Sequence, residues 1–256
     1  MARTMDTLER ANLLKSAREN GWEYCRVEET ARLVLGSARH RAQVTLLPIE
    51  SSQCWQLFFQ DTALSEELKR SIPGSLDTNG IFTVSTIQYL GPLLRRAAEL
   101  AFALPNHGEA LYLERVAALI PLGTLGNTEV ERLVRQRVGQ DTYRELLFDY
   151  WGGACAVTGI AVPEALRASH AKPWAECTSD SERLDVYNGL LLVANLDALF
   201  DRGLISFSIS GHLMVSERLD HKEAERLGCK EGMQLRWMDP AHGSYLAWHR
   251  CKIWKG

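Results

Sequence analysis

The sequence predicts an α+β protein in two parts, and three observations carry that prediction. Before residue 90, the runs 32-RLVLGS-37, 42-AQVTLLPI-49, 54-CWQLFFQ-60 and 80-GIFTVST-86 are short, rich in β-branched or aromatic residues, and bounded by turn formers. Apolar residues at helical spacing occur on either side of these runs and again from residue 128. Between the later helical segments, 120-IPLGTLGN-127 gathers glycine and proline and marks a boundary. The expected domains are therefore 1–122, an N-terminal α+β domain, and 123–256.

Taken in order, residues 5–20 carry Leu8, Leu13 and Leu14 at helical spacing. After the four strand-like runs, 91-GPLLRRAAELAFALP-105 reads as a helix with Pro92 in its first turn and Pro105 as its stop. Loop material is expected around 105-PNHGE-109, then a further short helix. From residue 128, TEVERLVRQRVGQDTYRELLFDYW again has helical spacing, with Arg132, Arg135, Arg137 and Arg144 among its apolar residues and a capping box formed by Thr128 and Glu131. The segment 155-CAVTGI-160 suits a strand or turn, and 188-NGLLLV-193 starts a buried strand. A short helix follows in 195-NLDALFDRG-203, with Asn195 as N-cap and Gly203 at its end, and 204-LISFSISGHLMV-215 forms a hairpin turning at Ser-Gly.

Composition limits the function classes. With 256 residues, 46% of them hydrophobic, the chain can bury a substantial core. It has no apolar run of membrane-spanning length, and MARTMDTLERANLLKSAREN is charged and amphipathic, unlike a signal peptide, so a cytoplasmic protein that does not engage membranes is expected. Six scattered cysteines without a C-x-x-C pair signal neither a disulfide framework nor a cysteine zinc site. A net charge of −3 argues against a polyanion-binding surface over the whole molecule, while leaving room for a local basic groove.

The chemistry concentrates in the second part. His170 lies in 167-RASHAKPW-174, Asn188 follows it by 18 residues, Asp197 follows Asn188 by nine, and Asp201 follows Asp197 by four, which sets both carboxylates on one helical face. The stretches 169-SHAKPW-174, 182-ERLDVYNGLLL-192 and 197-DALFDRG-203 resemble the HNH nucleases. The likeness is to a bacterial restriction-like branch that reads SH-x-x-PW, ERLD-x-x-NGLLL and D-x-x-FD-x-G. It extends over about residues 128–210, with 245-YLAWHR-250 a weaker match and no counterpart for the first 105 residues.

The resemblance implies a ββα-metal core at about 154–210, inside a C-terminal HNH nuclease domain. It implies His170 as general base, Asn188 securing the loop that aims it, and one divalent ion held by Asp197. Ser169 stands where many HNH enzymes carry an acidic ligand, so Asp201 becomes the next oxygen donor and Ser169 a lesser one. A carboxylate in place of the commoner His or Asn at the third position favours Mg²⁺ or Mn²⁺ over Zn²⁺. The parts are chemically consistent: a neutral imidazole takes a proton from water near pH 7, and a hard cation stabilises the phosphoryl and departing oxygens. Lys172, Arg167 and Arg202 flank the site as phosphate neutralisers.

The function expected from the resemblance is a metal-dependent DNA endonuclease of restriction or defence type, acting on double-stranded DNA, with the first domain selecting the DNA, including modified bases. A homodimer is expected because one active site cuts one strand. Trp22, Trp55, Phe58 and Tyr89 are aromatics that could stack on an extruded base, although core packing explains them more cheaply, as it does Trp174. The alternative is a non-catalytic DNA-binding or interaction protein on a degenerate HNH scaffold, which Ser169 motivates.

Overall fold

The computed structural model describes residues 3–49, 54–72, 80–119 and 129–256. The IPLGTLGN boundary and the Thr128 cap lie outside those residues. The chain divides into two compact units, 1–102 and 103–256.

In the first unit, α1 (Thr7–Glu19) is followed by β1 (Tyr24–Glu28), β2 (Leu33–Gly36), β3 (Gln43–Pro48) and β4 (Trp55–Phe59), then α2 (Thr62–Ser71), β5 (Ile81–Val84) and α3 (Ile87–Ala103). The strands form one antiparallel meander in sequence order. Alternation fixes which face is covered. The register aligns Leu33, Leu46, Leu57 and Phe82 across four strands, and all four are buried. On the opposite face Leu47 and Phe58 are exposed.

All four strand-like runs are strands here. Strand β1 escaped the sequence reading because its pattern is interrupted by a bulge between Cys25 and Val27. Helix α2 escaped it too, although Asp61 caps its first turn by accepting from the Ala63 and Leu64 amides.

Two helix limits differ from expectation. Helix α3 starts at Ile87, so Pro92 lies inside it, and Pro105 opens the next helix, α4 (Pro105–Leu119), with no PNHGE loop between. Proline suits a first helical position because its missing N–H has no intrahelical partner there. Helix α4 packs on α5 (Glu129–Tyr150) and so belongs to the second unit, although the glycine-proline boundary would have assigned it to the first.

The second unit continues with β6 (Leu166–His170), α6 (Asp180–Leu184), β7 (Gly189–Val193), α7 (Ala194–Asp201), β8 (Ile205–Phe207), β9 (Leu213–Val215), α8 (His221–Arg226) and α9 (His242–Lys252). Strands β6 and β7 pair antiparallel, with His170 opposite Gly189, and α7 leaves β7 without a break. The five residues of β7 are all buried, which is why GLLLV is apolar without alternation. Segment 155–160 forms turns, with the Cys155 amide bonded to the Ile160 carbonyl.

The N-cap of α7 is Val193, with no side-chain cap. Asn195 sits inside the helix, and its amide donates to the Leu227 carbonyl, which corrects its expected capping role. Gly203 ends the helix at φ +68°, and a Cβ there would lie 2.1 Å from the Ile253 carbonyl oxygen. Among the described residues no helix is long and apolar enough to cross a membrane.

Candidate active site

The strand-end histidine is held on three sides. His170 Nε2 donates to the Arg183 carbonyl at 2.9 Å, so in the neutral ring Nδ1 carries the lone pair. One face of the imidazole stacks on Tyr143, with ring centroids 3.8 Å apart and planes within 16°. Trp174 stands edge-on at 5.9 Å. Burial pushes the imidazole from 6.5 down to about 4, against the opposing pull of the Arg183 carbonyl, so the ring is neutral at pH 7.

Asn188 is fully buried and spends its whole amide on the loop after His170. Its Oδ1 accepts from the Lys172 amide at 2.8 Å, and Nδ2 donates to the Lys172 carbonyl at 3.1 Å and the Glu182 carbonyl at 3.2 Å. Its own carbonyl accepts from the Ala171 amide at 2.9 Å. These bonds close the segment from His170 to Asn188 on itself and hold the Arg183 carbonyl within reach of the imidazole.

Helix α7 brings the carboxylates to the same place. The buried Ser169 hydroxyl donates to Asp197 Oδ1, which ties the residue before His170 to the helix that follows β7. Ser169, His170, Trp174, Asp201 and Arg202 line one cleft of about 430 Å³. Burial, and then the neighbouring Asp197 carboxylate, raise Asp201 from 3.8 to about 6. Asp201 lines the cleft and Asp197 lies close enough to oppose its charge, a pair that a hard dication would relieve.

Among the described residues no group of three or more His, Cys, Asp or Glu is arranged to hold a metal. A Mg²⁺-like ion here would take Asp197 and Asp201 and complete its shell with water and phosphate oxygens, as that ion commonly does. With its hydroxyl given to Asp197, Ser169 would orient that carboxylate toward such an ion.

The expected phosphate contacts fare unequally. Lys172 Nζ is paired with Glu182 Oε1 at 2.6 Å and is largely buried, so it braces the loop. Arg167 is exposed, with Nη1 on the Glu164 and Leu166 carbonyls at 2.8 and 2.9 Å. Arg202 is exposed and lines the cleft. Trp174 packs against α5, where a Cβ on Gly139 would lie 2.3 Å from its Cη2.

In the first unit Trp22 is fully buried, its Nε1 donating to the Leu94 carbonyl at 2.8 Å, and Trp55 is 4% exposed with Nε1 on Glu9 at 2.8 Å. Both are core residues, whereas Phe58 and Tyr89 are exposed.

Sequence reasoning missed three contributors: Tyr143, the Arg183 carbonyl, and His249 on α9. His249 Nε2 donates to the Phe200 carbonyl at 3.0 Å, its Nδ1 lies 3.0 Å from Ser206 Oγ, and its ring stacks on Phe200 at 3.9 Å. It thereby clamps the last turn of α7, and the weak match at YLAWHR was its only signal.

An antiparallel strand pair running into a helix, with a histidine at the first strand end and carboxylates on the helix, defines a ββα nuclease arrangement. Residues 155–208 match the family model of the HNH endonucleases, so the C-terminal half carries an HNH endonuclease domain. Tyr143 and His249 lie outside the matched segment. No curated protein matches the chain.

Proposed function

We propose that the protein is a metal-dependent DNA endonuclease in which His170 deprotonates a water, and Asp197 and Asp201 would hold one Mg²⁺ or Mn²⁺. The HNH domain supports nuclease activity on nucleic acid. The observation that carries the reading is the Ser169–Asp197 hydrogen bond, which joins the strand bearing the base to the helix bearing the carboxylates beside one cleft. A bound cation would supply Lewis-acid stabilisation of the phosphoryl oxygens. His170 supplies a neutral nitrogen, Asn188 holds its loop, and Arg202 and Arg167 offer exposed cations at the site.

In this proposal the duplex is cut by a homodimer, and the 1–102 unit selects the DNA, including modified bases, in a cytoplasmic restriction or defence role. The second reading, a binding protein on a degenerate HNH scaffold, draws on Ser169 in place of an acidic ligand.

Supercoiled plasmid incubated with Mg²⁺, Mn²⁺ or EDTA decides between them. The nuclease reading expects metal-dependent nicking that EDTA abolishes and His170→Ala lowers by about 10²–10⁴-fold, the usual worth of a positioned base. Binding without cleavage in every metal leaves only the degenerate scaffold.

A further inference from the structure

We propose that Gly139 and Tyr143, one turn apart on α5, are positioning residues that form the bed on which the His170 ring is oriented. The inference rests on the nuclease reading and concerns residues that lie before the matched HNH segment.

Tyr143 is 2% exposed and meets His170 face to face, at 3.8 Å and 16°, not by the edge contacts common among core aromatics. Its hydroxyl donates to the Asn188 carbonyl at 3.2 Å, the same oxygen that accepts from the Ala171 amide. One side chain therefore supports both the imidazole face and the residue that closes the loop beyond it. Gly139 receives the Trp174 ring, which stands edge-on to His170 and whose carbonyl accepts from Arg183 Nε at 3.3 Å. Arg183 in turn gives its own carbonyl to His170 Nε2. Plane and rotation of the imidazole are thus set separately, by the Tyr143 stack and by the Arg183 carbonyl.

The same geometry accounts for the glycine in NGLLL. A Cβ on Gly189 would stand 1.7 Å from the Tyr143 hydroxyl and 2.8 Å from its Cζ, so only glycine lets Tyr143 reach Asn188. Gly139, Tyr143 and Gly189 form one steric unit, drawn from a helix and a strand, that ends at the base.

The test measures steady-state plasmid nicking by the full-length protein in saturating Mn²⁺, together with ¹⁵N–¹H spectra of the histidines, in which the His170 signals are assigned by their loss in His170→Gln. Tyr143→Phe keeps the ring and should hold kcat within about threefold, while Tyr143→Leu should lower kcat by about 10–100-fold, with KM within about twofold, since a misplaced group costs rate more than binding. Gly189→Ala and Gly139→Ala should shift kcat in the same direction.

In the spectra, the wild type should show the Nε2–H tautomer with ring protons moved upfield by Tyr143, and Tyr143→Leu should lose that shift. If the wild type shows this signature but does not cleave, the positioning bed stands and the nuclease reading falls. A wild-type His170 without the ring shift overturns the inference. So does a folded Tyr143→Leu that cleaves at the wild-type rate. Should Tyr143→Leu fail to fold, Gly139→Ala decides on kcat alone, and an unchanged value overturns the inference.

Discussion

A base must be unprotonated to work, and burial keeps the His170 imidazole neutral, as the proposed role requires. Its proton affinity is lowered toward 4, so acidification leaves it competent well below the pH at which an exposed histidine would charge. With metal saturating, kcat should stay level from pH 8 to about 6 instead of halving at the ordinary histidine value of about 6.5. A limb at 6.5 in the rate profile would show that the ring is solvated in the working enzyme. Asp201 shifts the other way, to about 6, so below that pH protons would compete with the proposed cation and the metal concentration needed for half-saturation should rise.

The histidine, asparagine and aspartate were legible as residues because their spacing and flanking motifs are local. The Arg183 carbonyl was not, because a backbone oxygen has no letter of its own. Tyr143 was invisible for another reason: helical periodicity marks a residue as inward-facing and says nothing of which ring it will meet.

At the scale of elements, α7 is clamped from both ends. Ser169 holds Asp197 from the strand side, and His249 of α9 holds the Phe200 carbonyl. His249 is 1% exposed, and burial, with a lesser contribution from Arg250, lowers it from 6.5 to about 4. The unfolded chain therefore binds the proton more readily than the folded one, and this contribution is present above about 6.5 and lost as pH falls toward 4.

Between pH 7 and pH 5 the loss from this one group should be about 2 kcal/mol, from about 1.36 kcal/mol per pKa unit. Urea unfolding of the wild type and His249→Gln at the two values measures it. The variant should show a smaller decrease, and equal decreases would mean the imidazole is not buried in solution.

Four of the five described strands of the first unit were readable as short β-branched and aromatic runs between turn formers, β1 being the exception, and β7 from its unbroken apolar run. The limits of α3 and α4 were not, because proline is compatible with a helix start as well as a stop. Only packing on α5 decides which unit α4 joins.

For the whole molecule, a net charge of −3 makes general attraction to a polyanion weak, so the proposed DNA binding would rely on local groups such as Arg167 and Arg202. On the proposed function, a single HNH active site would cut one strand at a time. Light scattering at working concentration should therefore return a mass of about twice 28.8 kDa, and a monomer would require two sequential nicks. Cleavage of matched modified and unmodified phage DNAs in Mn²⁺ tests the proposed selection of modified DNA: a preference that His170→Ala abolishes together with cleavage, while selective binding persists, assigns selection and chemistry to different groups.

What the sequence determined by itself was a buried strand running into a short helix, with a histidine, an asparagine and two aspartates at set intervals; the strand that ends at His170 followed only from the family resemblance, since 155–160 forms turns. Such intervals are sufficient because an antiparallel pair and the helix leaving it convert separation along the chain into position. The tertiary structure alone decided the setting of the imidazole, because the Tyr143 face, the Arg183 carbonyl, and the Gly139 and Gly189 gaps that admit the Trp174 ring and the Tyr143 hydroxyl come from segments brought together only when the core closes.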